Sequence, residues 1–438
     1  MPLTASRFLA DVGRCAALLG PGEHVLNACS DRYHFAVGLG ASLVTGKVSL
    51  LPSTRTPEVV AQLRRFAPDA ICLTDESECD VDLPLVRFPQ TGAPDGAAAA
   101  SRTSAWPAPG IDPEARTAWV FTSGSTGTPV PHEKTFGRLI DCVQVEAQRL
   151  GLPADRPHAV VATVPPQHMY GLESSVLMPL STGHALVAER PFYPADICAA
   201  LAAVPPPRAL ITTPLHLRAL LASGLAVPPT DLIVSATAPL AAQLASEVEE
   251  RCATRLLEIY GTTETGSIAV RRTTETPEWR LWPGVTLEQR DGETWASGGH
   301  VAQPIRLLDV LEVVAGDRFL LHGRIADLVN IAGKRSSLAY LNHQLNSIPG
   351  VLDGAFFHSH GDCAAHDAVV TRVGACVVAP GLDAAAITAE LRRRVDPVFL
   401  PRPLLLVACL PRTSAGKLPQ EALRALAAGA QHKPGGAG

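Results

Sequence analysis

Residues 118–129 read Ala-Trp-Val-Phe-Thr-Ser-Gly-Ser-Thr-Gly-Thr-Pro, an apolar run that opens directly into hydroxyls and glycines. A buried strand is expected to end here in a loop. Gly124 and Gly127 carry no Cβ, so backbone amides there can approach an anion closely. Thr122, Ser123, Ser125, Thr126 and Thr128 add hydroxyl donors, and successive amides in such a turn form an anion-holding concavity. A polyphosphate is the ligand that suits it. Gly127 is followed by Thr-Pro rather than Lys-Ser/Thr, so this is not a Walker A loop. Alone, such a cluster reads equally well as an ordinary surface turn. The reading depends on the rest of the chain.

Around this loop, short apolar runs alternate with helical spacing. Strands are expected at 24–28, 47–51, 70–74, 159–164, 184–188, 208–212, 231–235 and 256–260. Helices are expected at 31–44, 57–66, 195–203, 214–223 and 240–252. Strands separated by helices imply parallel sheets covered on both faces. Beyond about 280 the pattern changes. Residues 293–321 read as short antiparallel strands, with turns at Asp291-Gly292 and Ala315-Gly316. Residues 324–427 read as a mixed region with strands at 328–331, 354–358 and 373–378 and helices at 338–347 and 384–396. The fold class is therefore α/β: a large N-terminal domain (1–322) of parallel-rich sheets flanked by helices, plus a small β-barrel-like subdomain. A small α+β C-terminal lid domain (323–438) follows. Residues 89–114 read as a loop or linker and 428–438 as a disordered tail.

At 438 residues the chain is long enough for two or three domains. A formal charge of −5 and no clustered basic stripe argue against nucleic-acid binding. None of the ten cysteines forms a Cys-x-x-Cys pair, so neither a zinc knuckle nor a redox dithiol is supported. No basic head precedes an N-terminal apolar stretch, and no run of about 18 apolar residues exists to span a bilayer. No membrane partner and a cytoplasmic location are the expectation.

Three further stretches carry chemistry. Tyr260-Gly261-Thr262-Thr263-Glu264-Thr265-Gly266 follows the apolar run 256–259. A strand ending in a glycine turn with one carboxylate suits a Mg²⁺ that bridges phosphates. Glu264 is the candidate metal ligand, and Thr263 a donor to a phosphate oxygen. Ser235-Ala236-Thr237-Ala238-Pro239 ends another strand, where small residues would let a flat base stack on backbone. Pro411-Arg412-Thr413-Ser414-Ala415-Gly416-Lys417 places a lysine behind a glycine, as a point charge that a mobile domain could deliver. Each of these, alone, also reads as an ordinary polar turn.

Taken together, in this order and spacing, they resemble the adenylate-forming superfamily of acyl-CoA synthetases, aryl-CoA ligases, luciferases and peptide-synthetase adenylation domains. The resemblance covers about 20 to 425. It implies that Ser123 to Thr128 hold the β- and γ-phosphates of ATP. Thr237, Ala238 and Pro239 would border the adenine and Tyr260 would stack on it. Thr263 would contact the α-phosphate and Glu264 would bind Mg²⁺. Asp309, fourteen positions before Gly323-Arg324, would take the ribose hydroxyls, and Arg324 would contact the nucleotide. Pro165-Pro166-Gln167-His168-Met169-Tyr170-Gly171 resembles the acyl-pocket motif. Catalytic His168 would sit at its mouth, with Tyr170 and Gly171 on its floor. Lys417 would bridge the carboxylate and the α-phosphate.

The chain departs from that pattern in four places. Val130-Pro131-His132-Glu133-Lys134 stands where the phosphate loop normally ends Pro-Lys, which makes Lys134 the candidate for the missing charge. Leu307-Leu308 replaces Thr-Gly before Asp309. Ala326 occupies the hinge position, with Asp327 next. Leu341-Asn342 replaces an acidic pair. Segments 26–35 and 333–335 also resemble a subgroup, the AMP ligases of aryl-polyene pigment pathways. That finer likeness implies a small aromatic acid such as a hydroxybenzoate, and the phosphopantetheine thiol of an acyl carrier protein as acceptor. A free-standing acyl-CoA or aryl-CoA ligase is the alternative, and a non-catalytic nucleotide-binding scaffold the reading from another class.

Overall fold

The computed structural model describes residues 2–89, 110–123, 129–324, 328–331, 334–360, 371–412 and 418–431. The expected α/β architecture is present. The first sheet comprises β1 (His24–Asn27), β2 (Val48–Leu51), β3 (Ile71–Thr74), β4 (Leu85–Arg87), β5 (Arg116–Ser123) and β6 (Pro129–Thr135). Its order is β4-β3-β1-β2-β5-β6, parallel throughout except for β6, which turns back antiparallel on β5. Ser123 and Pro129 stand opposite one another in that hairpin, so the hydroxyl-rich loop bridges two paired strands.

The second sheet is built on β7 (Ala159–Ala162), β8 (Ala185–Leu186), β9 (Arg208–Thr212), β10 (Leu232–Ser235) and β11 (Arg255–Thr262). These run parallel in the order β8-β7-β9-β10-β11. Neighbouring parallel strands end on the same edge, where open α/β sheets place ligands. Beyond β11 the sheet continues antiparallel through β12 (Gly266–Arg271) and β13 (Trp279–Leu281). A separate three-stranded antiparallel sheet follows, β14 (Thr286–Arg290), β15 (Glu293–Gly298) and β16 (Val301–Leu307), which is the expected small β-rich subdomain. The chain then rejoins the second sheet as β17 (Asp309–Ala315) and β18 (Arg318–Arg324).

One apolar core joins the two large sheets, taking Val25, Leu51 and Val120 from the first and Val160, Ile211 and Val234 from the second. The C-terminal part has its own core of Leu341, Phe356, Ala375 and Ile387. It is built on β19 (Leu328–Ile331), β20 (Lys334–Ser337), β21 (Asp353–His360), β22 (Thr371–Val378) and β23 (Leu404–Leu406) with flanking helices.

Several elements differ from expectation. Helices Ala5–Ala16 and Phe136–Leu150 were not anticipated, nor was β6. The expected strand 184–188 is two residues long. The helix expected at 384–396 ends at Arg392. Part of the expected disordered tail is helical, because Gln420–Gln431 buries Leu423 and Ala427 against Phe357 and Cys376. No helix among the described residues is long and apolar enough to cross a membrane.

Candidate active site

The chemistry-bearing residues gather at the carboxyl edge shared by the parallel strands. Thr122 lies one residue before the end of β5, Thr163 to Pro165 follow β7, Thr213 follows β9, Thr237 follows β10, and the Thr262–Gly266 turn joins β11 to β12. Four of these stretches meet because their strands are neighbours in one parallel sheet, and Thr122 of the first sheet reaches them through His132 of β6.

The Thr262–Gly266 turn is fixed from inside. Thr262 donates its amide to the Thr265 hydroxyl, and Thr265 donates its amide back to the Thr262 hydroxyl, both at 3.2 Å. A Cβ at Gly261 would stand 2.3 Å from the Gly266 carbonyl oxygen, so only glycine permits the close approach. Gly266 itself has φ +75°. Glu264, at the tip, presents its carboxylate beside His132 of β6, with Nε2 3.6 Å from Oε1. The same His132 nitrogen shares a hydrogen bond with the Thr122 hydroxyl at 3.0 Å. Thr122 and Glu264, predicted from separate motifs, are thus linked through a histidine that no motif flagged. Burial holds His132 below its ordinary pKa.

Lys134 is the candidate for the missing phosphate-loop charge. It is buried, and its ammonium donates to the Glu264 carbonyl oxygen at 2.8 Å, bracing the turn from below. Beneath that brace lie Glu173, Cys142, Ser267 and Glu146. The Ser267 amide donates to Glu173 at 3.0 Å and the Ser267 hydroxyl to Glu146 at 3.1 Å.

At the expected nucleotide end, Tyr260 is buried against Trp279 and Phe319 at centroid distances of 5.6 and 5.7 Å. Its hydroxyl donates to Asp309 Oδ2 at 2.7 Å. The visible work of Tyr260 is to orient the Asp309 carboxylate. Asp309 opens β17 directly opposite Arg324 at the end of β18. Thr237 adopts φ +76°, a left-handed backbone uncommon for a threonine, at the loop expected to border adenine. Ala238 and Pro239 complete that loop.

The stretch expected to bind the acid lies on a short helix, Met169–Gly171, continuing into a π-helical turn, Leu172–Leu177. Such insertions recur at functional sites. His168 and Tyr170 line a small cavity together with Thr213, His216 and Thr237. Tyr170 donates its hydroxyl to the Val234 carbonyl at 3.0 Å. Gly171 packs closely on the stretch before it: a Cβ there would stand 1.9 Å from the Pro165 carbonyl oxygen.

Gly124, Ser125, Thr126, Gly127, Thr128 and Lys417 lie outside the described residues, as do the side chains of Ser123 and Arg324 and the hinge position Ala326. Among the described residues no group of three His, Cys, Asp or Glu could hold a metal ion. That donor set still fits Mg²⁺, which takes one or two protein carboxylates and completes its shell with phosphate and water. Glu264 is the residue that would hold it.

Comparison with known proteins bears on the family and the fold. The profile of a family described as AMP-binding enzyme matches residues 3–311. A 4-coumarate–CoA ligase of Rhodobacter capsulatus is 31% identical over 300 residues, covering 68% of this chain and 73% of that one. A 4-coumarate–CoA ligase of Halorhodospira halophila is 29% identical over 304 residues, with the same coverage of 68% and 73%. Among solved structures, ATP-bound MatB from Rhodopseudomonas palustris superposes with a TM-score of 0.79 at 20% identity, covering 96% of this chain and 92% of that one. A benzoate CoA ligase from Burkholderia xenovorans gives 0.77 at 20% identity, with 96% and 92% covered. At that identity these structures support the fold alone.

Proposed function

Because the chain belongs to the AMP-binding enzyme family, we propose that it activates a small aromatic acid with ATP and passes the acyl group to a phosphopantetheine thiol. The enzyme class is that of an AMP-forming acid–thiol ligase. The observation that supports an adenylating site is the link from Thr122 through His132 to Glu264, beside the Tyr260–Asp309 pair and the His168–Tyr170 cavity.

In the first half-reaction a carboxylate oxygen of the acid bonds to the α-phosphorus. The bond to the β-phosphate oxygen breaks, and pyrophosphate leaves. In the second, a thiol sulfur bonds to the acyl carbon, AMP leaves, and the thiol proton passes to solvent. Neither step needs a protein nucleophile. Alignment and charge neutralisation supply the rate. Residues 122–128 would hold the β- and γ-phosphates, Thr263 the α-phosphate and Asp309 the ribose. Glu264 would hold Mg²⁺, which would supply neutralisation of phosphate charge. Lys417 would stabilise the charge developing on the α-phosphate, with residues 323–438 acting as the lid that delivers it. The relatives named for CoA ligation favour free CoA as the acceptor. The likeness to pigment-pathway ligases favours a carrier protein as the second reading.

ATP–pyrophosphate exchange with benzoates, cinnamates and fatty acids tests the acid. Label transfer to CoA against a holo-carrier tests the acceptor. Exchange with hydroxybenzoates or cinnamates and not with fatty acids is expected. Absence of exchange with every acid overturns the proposal. Lys417→Ala is expected to lower exchange by about 10²–10³ while ATP binding persists.

A further inference from the structure

His216 lies outside every motif that points to ATP, yet it lines the same cavity as His168 and Tyr170. It sits at the third position of helix Pro214–Ala222, whose N-cap is Thr213. Only 4% of the residue is exposed. One face of the ring is fully spoken for. Nδ1 is 2.9 Å from the Thr213 hydroxyl and 3.3 Å from the Thr163 hydroxyl, and Thr163 is in turn tied to Thr212 at 3.0 Å. Phe192 sets the ring plane through an edge contact at 5.2 Å. The opposite nitrogen, Nε2, is buried and has no hydrogen-bond partner among the described residues. A buried polar atom left unpaired costs about 1–3 kcal/mol, so a site that keeps one is built for something that arrives later.

With Nδ1 accepting from the Thr213 or Thr163 hydroxyl, the single proton of a neutral imidazole sits on Nε2. Burial supports neutrality by pulling the ring pKa down to about 4. Nε2 is then a fixed, uncharged donor. Tyr170, the other polar ring of the cavity, already donates its hydroxyl to Val234. The enclosed space is about 10 Å³, the size of one water or one hydroxyl. No charged side chain lines it, so it offers nothing to balance a second carboxylate.

We propose that the Nε2–H of His216 reads a small oxygen substituent on the aromatic ring of the acid, and that the enzyme thereby selects hydroxylated acids over unsubstituted ones. Thr213 and Thr163 act as positioning residues by holding the tautomer. This rests on the acid-activating reading above and adds to it the residue that sets ring specificity.

The test is kcat/KM from ATP–pyrophosphate exchange with hydroxybenzoates, aminobenzoates and benzoate. The wild-type enzyme is expected to favour a hydroxybenzoate over both benzoate and the corresponding aminobenzoate, whose nitrogen is a poor acceptor. His216→Leu is expected to reduce the ratio of hydroxybenzoate to benzoate by about 10- to 100-fold, chiefly through KM, and His216→Gln, which retains a donor, to restore part of it. An unchanged ratio in folded His216→Leu overturns the proposal. Should the variants not fold, the wild-type series decides: equal use of hydroxy and amino acids overturns it. If benzoates are exchanged without regard to His216, this inference alone fails. If no acid is exchanged, the ligase reading fails and takes this inference with it.

Discussion

Glu146 is a carboxyl group wholly removed from water, in the middle of helix Phe136–Leu150. One oxygen accepts from Ser267, and the other has no partner among the described residues. Burial, reinforced by the neighbouring Glu173, pushes its pKa to about 8. The folded state therefore holds this proton far more tightly than the unfolded chain, whose ordinary value is 4.5. The resulting stability is complete below pH 4.5 and drains away as pH rises toward 8, where it levels off. The melting temperature of wild type is expected to fall between pH 6 and 8. Glu146→Gln, which mimics the protonated group, should remove most of that slope. Calorimetry at both pH values checks this, and parallel curves for the two proteins would refute it. Residues of this kind were not legible in the sequence. Thr122, Glu264 and Asp309 were, because motifs in a fixed order carry them. His132, Glu146 and His216 are single polar residues whose meaning comes from what folds against them.

Among the elements, helix Arg32–Val44 is held by its first residue. Arg32 is fully buried, and among the described residues no carboxylate forms an ion pair with it. Its guanidinium donates instead to the Ser175 hydroxyl and to the carbonyls of Ala162, Val164, Val187 and Glu189, at 2.9–3.1 Å. It joins the first helix layer to the π-helical turn and to the end of β7, where the acid cavity begins. No lysine can reproduce that planar fork. Arg32→Ala and Arg32→Lys are each expected to cost on the order of 3 kcal/mol or more, read as a lower denaturant midpoint with unchanged m-value. A midpoint within error of wild type would remove Arg32 from this role. The parallel strands were readable because each is a short apolar run between helices. β6 was not, since Pro129 and Pro131 argue against a strand. As the last strand of its sheet it tolerates prolines that an interior strand would reject. Helix Phe136–Leu150 buries Leu139, Cys142, Val143, Glu146, Ala147 and Leu150 on one face. Glu146 interrupts that stripe with a charge-type residue and hides the pattern.

Across the whole molecule, Asp353 is a hub between distant parts of the chain. It accepts from Arg218 of helix Pro214–Ala222 at 3.0 Å, and from Arg412 at 2.7 and 2.8 Å. The His216 helix is thereby tied to β21 and to the segment that runs on toward Lys417. If residues 323–438 move as a lid, this contact biases where the lid rests. Asp353→Ala leaves two guanidinium groups facing each other and is expected to cost about 1.5–3 kcal/mol. The ratio of thioester formation to pyrophosphate exchange should shift as well, measured on the same preparation. A loss of stability with an unaltered ratio would make Asp353 a brace and nothing more. The division expected at 322–323 from the change of pattern along the chain falls within β18, which pairs with β17 as far as Arg324.

The Arg32 clasp also has a bearing on how the chain is made. Every acceptor for that guanidinium comes from residues 162–189. A nascent chain leaving the ribosome amino terminus first presents helix Arg32–Val44 and the early strands long before their cation has anywhere to dock. The amino-terminal layer must wait, incompletely seated, until translation has passed Glu189, and truncations ending before Ala162 should not yield a settled half-protein.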